Sequence, residues 1–151
     1  MTTHEIALLR NFSKSEKDVF GREIFEKYYE IENDLMTNVD NLVDFAKQNY
    51  GTRDGALIVH DINLGEHVAG SLHGKGRAID GHFKGINLFQ ITVLLMKFGF
   101  NGIGLYPQWN AKGFHADIRK GPHTSTWVYY DEEYNYDWLF FEEQLEIELE
   151  C

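Results

Sequence analysis

The chain has 151 residues, enough for one domain with a hydrophobic core and too few for two domains of ordinary size. Its net charge of -10 argues against nucleic acid or an anionic membrane as a partner, because both bind basic surfaces. The sequence shows no signal peptide and no apolar run of the roughly 20 residues that a membrane span requires, so we expect cytoplasmic synthesis.

The single cysteine, Cys151, limits the kinds of site that the chain can form. One cysteine allows neither an intramolecular disulfide nor a thiolate metal cluster. A metal site in this chain must therefore use histidine, aspartate or glutamate.

Two helices and a strand are predicted in the first part of the chain. Ser13 and Glu16 have capping-box spacing, which predicts that a helix follows. Its apolar positions at helical spacing would be Val19, Phe20, Ile24 and Tyr28. An apolar stripe predicts a second helix over 38–51 that ends at Gly51, and residues 56–62 are typical of a buried strand.

The second part of the chain is predicted to be mainly strands with one inserted helix. After a glycine-rich loop over 71–80, the expected elements are a helix over 87–99, strands over 102–106, 113–119 and 125–131, and a last helix over 139–149. The β-branched run at 91–93 leaves a strand open for the first of these. This order predicts an α+β fold, a small antiparallel sheet with flanking helices, in a single domain over 1–151.

The strand over 113–119 alternates apolar and polar residues. Phe114, Ala116 and Ile118 would face a core, while the opposite face would carry His115, Asp117 and Arg119. Such a polar face is either solvated or lines a site, and the pattern leaves both open.

The segment "SLHGKGRAID" over 71–80 is a candidate for metal binding. His73 and Asp80 combine an imidazole with a carboxylate, which suits Zn²⁺, and a third imidazole would complete a site with one open position. Gly74 and Gly76 would allow the backbone to turn so that the two side chains converge.

The same segment resembles the Ser-x-His-x-x-Gly-x-Ala-x-Asp signature of the M15 zinc peptidases, which include D-Ala-D-Ala carboxypeptidases and L-Ala-D-Glu endopeptidases. "GFNGIGLYP" and "GFHADIR" are similar to two further strands of that family, in the same order, and the resemblance spans about residues 11–119. It implies a fold shared with the hedgehog signalling domain and Zn²⁺ held by His73, Asp80 and His115. Asp117 would either orient a ligand imidazole or form a structural ion pair with Arg119.

The resemblance does not extend to a proton-transfer residue. Lys112 stands where many members have an acidic residue, three positions before the last ligand, and Gly113 stands where others have a histidine. The candidates for a replacement are Glu66, His67, His82 and His123. The candidates for substrate binding are Ser71, Arg77, Tyr106 and Trp109, with Arg77 the cation nearest to the metal motif.

The function implied by the resemblance is zinc-dependent hydrolysis of a peptide bond in peptidoglycan stem peptides or another small peptide. A phage lysis or virion protein would suit a compact chain of this kind. Two alternatives remain open at this stage. One is a non-catalytic binding domain stabilised by zinc, and the other is a zinc hydrolase that acts on an amide outside the cell wall.

Overall fold

The computed structural model describes residues 1–51 and 55–150 of the chain, so Cys151 lies outside the described residues. The α-helices within these ranges are α1 (Thr3–Leu8), α2 (Asn33–Tyr50), α3 (Leu88–Lys97) and α4 (Trp138–Glu150). The strands are β1 (Leu57–Asp61), β2 (Ala78–Phe83), β3 (Gly102–Tyr106), β4 (Gly113–Asp117), β5 (Ser125–Tyr130) and β6 (Glu133–Asn135). No helix in the described ranges is both long enough and apolar enough to cross a membrane.

The six strands form one sheet in the order β1-β2-β4-β3-β5-β6. Strand β4 lies between β2 and β3 and is antiparallel to both. The neighbouring pair β3 and β5 is parallel, so the sheet is mixed and not wholly antiparallel. With its helices alongside, the sheet confirms the predicted α+β class.

The two faces of the sheet have different roles. Along β4, Phe114 and Ala116 point into the hydrophobic core, which also contains the apolar faces of α2 and α3. Because side chains alternate along a strand, His115 and Asp117 occupy the opposite face. All five residues of β4 are buried, so this second face lines a site and is not simply solvated.

The predicted helix after Ser13 is wrong. Glu16 does return a side-chain contact to the Ser13 backbone N–H at 3.4 Å, so part of the capping box forms. The chain then turns, because the carboxylate of Asp18 accepts hydrogen bonds from the backbone N–H groups of Phe20 and Arg22. Gly21 completes this turn with a φ of 80°, a left-handed conformation that glycine adopts without strain.

The remaining elements lie close to their predicted positions. Helix α2 begins at Asn33, five residues before the predicted start, and α3 is a helix over Leu88–Lys97, which excludes the strand alternative. Sequence reasoning missed α1, β6 and, most consequentially, β2. Strand β2 begins at Ala78, so the last three residues of the segment that was read as a loop are part of the sheet.

A buried carboxylate holds the N-terminal segment against α2. Asp40 is 3% exposed and accepts hydrogen bonds from the backbone N–H groups of Arg10 and Asn11 at distances between 2.9 and 3.2 Å. Burial alone would raise the pKa of Asp40, but these hydrogen bonds, with those from the two side chains, hold it below its ordinary value. The folded state therefore favours the ionised carboxylate.

We expect Asp40→Asn to lower the free energy of unfolding at pH 7 by about 1–3 kcal/mol, the range for hydrogen bonds to a charged group. Since the folded pKa is depressed, this contribution is complete above the unfolded value of about 3.9 and disappears as the pH falls through the folded value. Urea unfolding at pH 7 and in acid measures both effects. Glu26→Gln, at an exposed position, is the control, and an equal loss at both pH values would contradict the assignment.

Candidate metal centre

The register of the sheet brings the predicted site residues together. Asp80 of β2 and His115 of β4 are directly opposite each other, and His115 is in turn opposite Gly104 of β3. Gly104 is the registered partner of Trp127 on β5. Neighbouring strands lie about 4.8 Å apart, so these residues form one row of contacts across the sheet.

The lack of a side chain at Gly104 leaves room for the Trp127 indole in this row. A Cβ there would lie only 2.4 Å from the indole nitrogen of Trp127. With no side chain in the way, the Trp127 indole lies across β3 and approaches the His115 imidazole, with a distance of 4.9 Å between the ring centroids. Trp127 is therefore one wall of the site, although sequence reasoning preferred Tyr106 and Trp109 among the aromatic residues near the motifs.

His73 reaches the row from the loop that precedes β2. The Ser71 hydroxyl accepts a hydrogen bond from the His73 backbone N–H at 3.2 Å, which fixes the start of this turn. Gly76 ends the turn with a φ of 66°, and a Cβ there would lie 1.9 Å from the Glu30 carbonyl oxygen. Only glycine fits this position, which pins the loop against the segment before α2.

Three candidate ligand atoms converge where the loop meets the row. His73 Nε2 and His115 Nδ1 lie 3.2 and 2.9 Å from the same oxygen, Oδ1 of Asp80. The two nitrogens are 3.2 Å apart. In a tetrahedral zinc site with bonds of about 2.0–2.2 Å, neighbouring ligand atoms are separated by about 3.4 Å, so a small outward shift would accommodate a metal ion.

Each imidazole has an inner nitrogen that faces Asp80 and an outer nitrogen that faces away from it. The hydrogen-bond partner of the outer nitrogen determines whether the inner nitrogen carries a proton or a lone pair. His73 Nδ1 lies 2.7 Å from the carbonyl oxygen of Ile62, and His115 Nε2 lies 2.8 Å from Oδ2 of Asp117. Both partners are acceptors, so each outer nitrogen carries the proton when the ring is neutral and each inner nitrogen presents a lone pair. Two lone pairs and a carboxylate then face one another, an arrangement that a bound cation stabilises.

The surrounding charges keep the carboxylates ionised. Burial would raise the pKa of Asp80, but the two imidazoles, which donate hydrogen bonds to it when they are protonated, lower it to about 2. Burial also opposes ionisation of Asp117, whose pKa is nevertheless lowered by hydrogen bonds from Arg119 and His115. Desolvation disfavours the charged form of His115, yet its hydrogen bonds to Asp117 and Asp80 raise its pKa.

Asp117 is held rigidly behind the ligand. Its carboxylate is fully buried and pairs with Arg119 through two contacts, of 2.8 Å from Nε and 2.7 Å from Nη2. Arg119 in turn lies over the Trp127 ring. Opposite Asp117 stands Gly102, where a Cβ would meet the carboxylate oxygens at 2.2 Å. Asp117, which was predicted to orient a ligand imidazole, is therefore held by Arg119 on one side and closely approached by Gly102 on the other.

The three ligand groups open into a pocket of about 440 Å³. Its walls combine charged, aromatic and aliphatic side chains, namely Glu66, His67, Val68, Ser71, Leu72, His73, Asp80, Tyr106, His115, Asp117, Arg119, Trp127, Tyr134 and Tyr136. Burial, followed by the negative charge of Asp80, raises the pKa of Tyr106, so its hydroxyl remains a hydrogen-bond donor. Ser71 and Tyr106, predicted to contact substrate, thus lie in the pocket wall.

Trp109, His82 and His123 do not line this pocket. The Trp109 indole stacks on Tyr106 on one side and on His60 on the other, with centroid distances of 4.1 and 4.9 Å. His82 Nδ1 lies 2.7 Å from Nε2 of His60. His123 is exposed in the turn between β4 and β5. Of the four candidates for proton transfer, the structure brings only Glu66 and His67 into the pocket.

Arg77, predicted to contact substrate, does not line this pocket. Its Nη2 donates to the Ile118 carbonyl oxygen at 2.7 Å, and its Nε lies 3.5 Å from the Glu32 carboxylate. Arg77 is adjacent to Ala78, and Ala78 and Asp80 share the face of β2 that carries the site. Alternation along the strand therefore directs Arg77 to the opposite side. The arginine that lines the pocket is Arg119.

Positions 112 and 113, which carry the proton-transfer residue in similar sequences, have structural contacts in this chain. Lys112 Nζ lies 2.5 Å from Oε1 of Glu148, a buried residue of α4. A Cβ on Gly113 would lie 2.4 Å from the Trp109 ring, so no histidine fits there without displacing the indole.

Comparison with known proteins returned one family. A family model described as peptidoglycan L,D-endopeptidase MepK, from the M15 peptidases, matches residues 4–124. The matched region contains His73, Asp80 and His115. No curated protein and no solved structure matches the chain.

We expect Zn²⁺ to raise the melting temperature, because only the folded chain brings the three acceptor atoms together. At a concentration of about 100 times Kd the shift should be about 5–10 °C. His115→Ala should abolish the shift, and His123→Ala should retain it. Differential scanning calorimetry with and without zinc measures the effect, and a shift that survives in His115→Ala would contradict this ligand set.

We expect Gly102→Ala to weaken zinc binding about 10–100-fold, because its methyl group would displace the Asp117 carboxylate from His115. Asp117→Asn should cause a similar loss. If both act on the same hydrogen bond, the double variant should lose much less than the sum of the two free-energy changes. Competition against a chelating dye measures the affinities, and fully additive losses would refute the shared cause.

Proposed function

The chain belongs to the peptidoglycan L,D-endopeptidase MepK family of M15 peptidases, and on this basis we propose that it is a zinc peptidase that hydrolyses peptidoglycan stem peptides. Membership makes the chain a peptidase. The identity of the metal, its ligands and the bond that is cleaved are the parts that we propose. The observation that carries them is the convergence of His73 Nε2, Asp80 Oδ1 and His115 Nδ1.

The donor set favours zinc among the common divalent ions. Two imidazoles and one carboxylate are typical of catalytic zinc sites, which hold three protein ligands and leave one position for water or substrate. Magnesium and calcium prefer sites made of oxygen ligands. The absence of thiolates fits a catalytic site better than a structural one, since structural zinc sites rely on cysteine.

The groups around the ligands have roles that follow from their contacts. A bound zinc would polarise the scissile carbonyl and make a water molecule acidic. The ionised Asp117 would hold the His115 imidazole in one orientation throughout, since Arg119 fixes the carboxylate by two contacts. Tyr106, whose hydroxyl remains protonated, would donate a hydrogen bond to the polarised carbonyl oxygen.

The shape of the pocket supports a peptide substrate. Trp127, Tyr134 and Tyr136 provide flat apolar walls along one side, and Arg119 provides a positive charge beside them. Stem peptides are rich in carboxylates, which an arginine binds well. The guanidinium of Arg119 keeps N–H groups beyond those used by Asp117. We assign cleavage to the L,D-endopeptidase type because the family is described by that activity.

We expect the zinc-loaded chain to release new amino groups from purified peptidoglycan sacculi, and His73→Ala to release none. Mass spectrometry of the products identifies the bond, because hydrolysis leaves one new amine and one new carboxylate. A zinc-bound protein that releases no amine at any pH at which it stays folded would refute the proposed substrate. His4→Ala, at an exposed position on α1, is the matched control.

A further inference from the structure

We propose that His67 is the proton-transfer residue of this peptidase and that Asp61 positions it. This inference rests on the proposed function and supplies the group that the sequence lacks at positions 112 and 113. The following observations lead to it.

His67 lies directly beside the metal ligands. Its imidazole is parallel to that of His73, with an angle of 3° between the planes and 4.5 Å between the centroids. The side chain lines the same pocket as the three ligand groups and is 18% exposed. A water molecule in the open part of the pocket can therefore reach it.

Asp61 holds the other side of the ring. Its Oδ2 lies 2.6 Å from Nε2 of His67, a short contact that lacks the alignment of an ideal hydrogen bond. The carboxylate favours the proton on Nε2, which leaves Nδ1 as the basic nitrogen. A base oriented by a neighbouring carboxylate is the arrangement expected for proton transfer.

Asp61 is itself rigid. Its Oδ1 accepts hydrogen bonds from the backbone N–H groups of Leu64 and Gly65, at 3.1 and 3.0 Å, and lies 3.5 Å from the Arg22 guanidinium. Asp61 pairs with Asp80 across β1 and β2, where a bulge interrupts the register after Val59. Bulges redirect side chains at the edges of sites, and this one places Asp61 in the row that contains the metal ligands.

The other described groups of the pocket wall are less suited to the role. Tyr106 stays protonated, while Asp80 and Asp117 are engaged with the imidazoles. Glu66 also lines the pocket but is exposed, with no contact in the structure that would orient it toward the ligands. His67 combines access with a defined orientation.

The proton movements balance over one turnover. As the oxygen of a water molecule bonds to the scissile carbonyl carbon, one of its protons passes to Nδ1 of His67. When the C–N bond breaks, that proton passes to the leaving nitrogen. One water molecule is consumed, a carboxylic acid and an amine are formed, the acid then gives its remaining proton to the amine or to solvent, and His67 returns to its starting state.

The test compares His67→Gln with wild type in zinc content, melting temperature, kcat and KM on sacculi-derived peptides. We expect a loss of about 10²–10⁴-fold in kcat with zinc still bound, because the three ligands are intact. Asp61→Asn keeps the acceptor for Leu64 and Gly65 but not the charge, so we expect a loss of about 10²-fold in kcat with little change in KM. His4→Gln is the control for histidine replacement at the surface.

Each alternative outcome overturns a defined part of the inference. If His67→Gln retains full kcat, or if it loses its zinc, His67 is not the proton-transfer residue. If Glu66→Gln loses activity while both His67→Gln and Asp61→Asn retain it, the role belongs to Glu66. If wild type binds zinc and cleaves no stem peptide, the proposed function fails and the assignment of His67 fails with it.

Discussion

The alignment of Asp80 opposite His115 is the constraint on which the site depends. The pairing of β2 with β4 places these two side chains on one face, close enough for a 2.9 Å contact. A shift of the register by one residue would turn either side chain into the hydrophobic core. The core on the other face, where Phe114 and Ala116 pack, therefore fixes the metal site as firmly as it fixes the fold.

Small residues provide the space that this constraint requires. Gly104 and Gly102 lie beside His115 and Asp117 on β3, and each leaves room for a large or charged neighbour that a methyl group would displace. The result is a layered arrangement, in which Arg119 clamps Asp117 and Asp117 orients His115. Each of these side chains is held by the one behind it, so the imidazole of His115 would need to move little to bind a metal ion.

The proposed proton-transfer residue, His67, lies at the β1 end of the row of residues that contains Asp80 and His115, where it contacts Asp61. In the sequence, the expected positions 112 and 113 precede the last ligand, but here they pack against α4 and Trp109. Asp61 is instead the last residue of β1, and His67 lies in the segment that follows it, next to His73. The placement illustrates that a catalytic role requires a position in space, which different parts of a chain can supply.

The sequence by itself determined the α+β class and the faces of β4, because alternation is a local property. A spaced motif also selected three side chains that converge in the pocket, those of His73, Asp80 and His115. Sequence reasoning failed for the helix after Ser13, where the Asp18 carboxylate accepts hydrogen bonds from backbone N–H groups that a helix would need, and for the start of β2, which was read as part of a loop. Asp61, Trp127 and the orientation of His67 were decided by the tertiary structure alone. Their roles arise from register and stacking between segments distant in the chain, and no local pattern records such contacts.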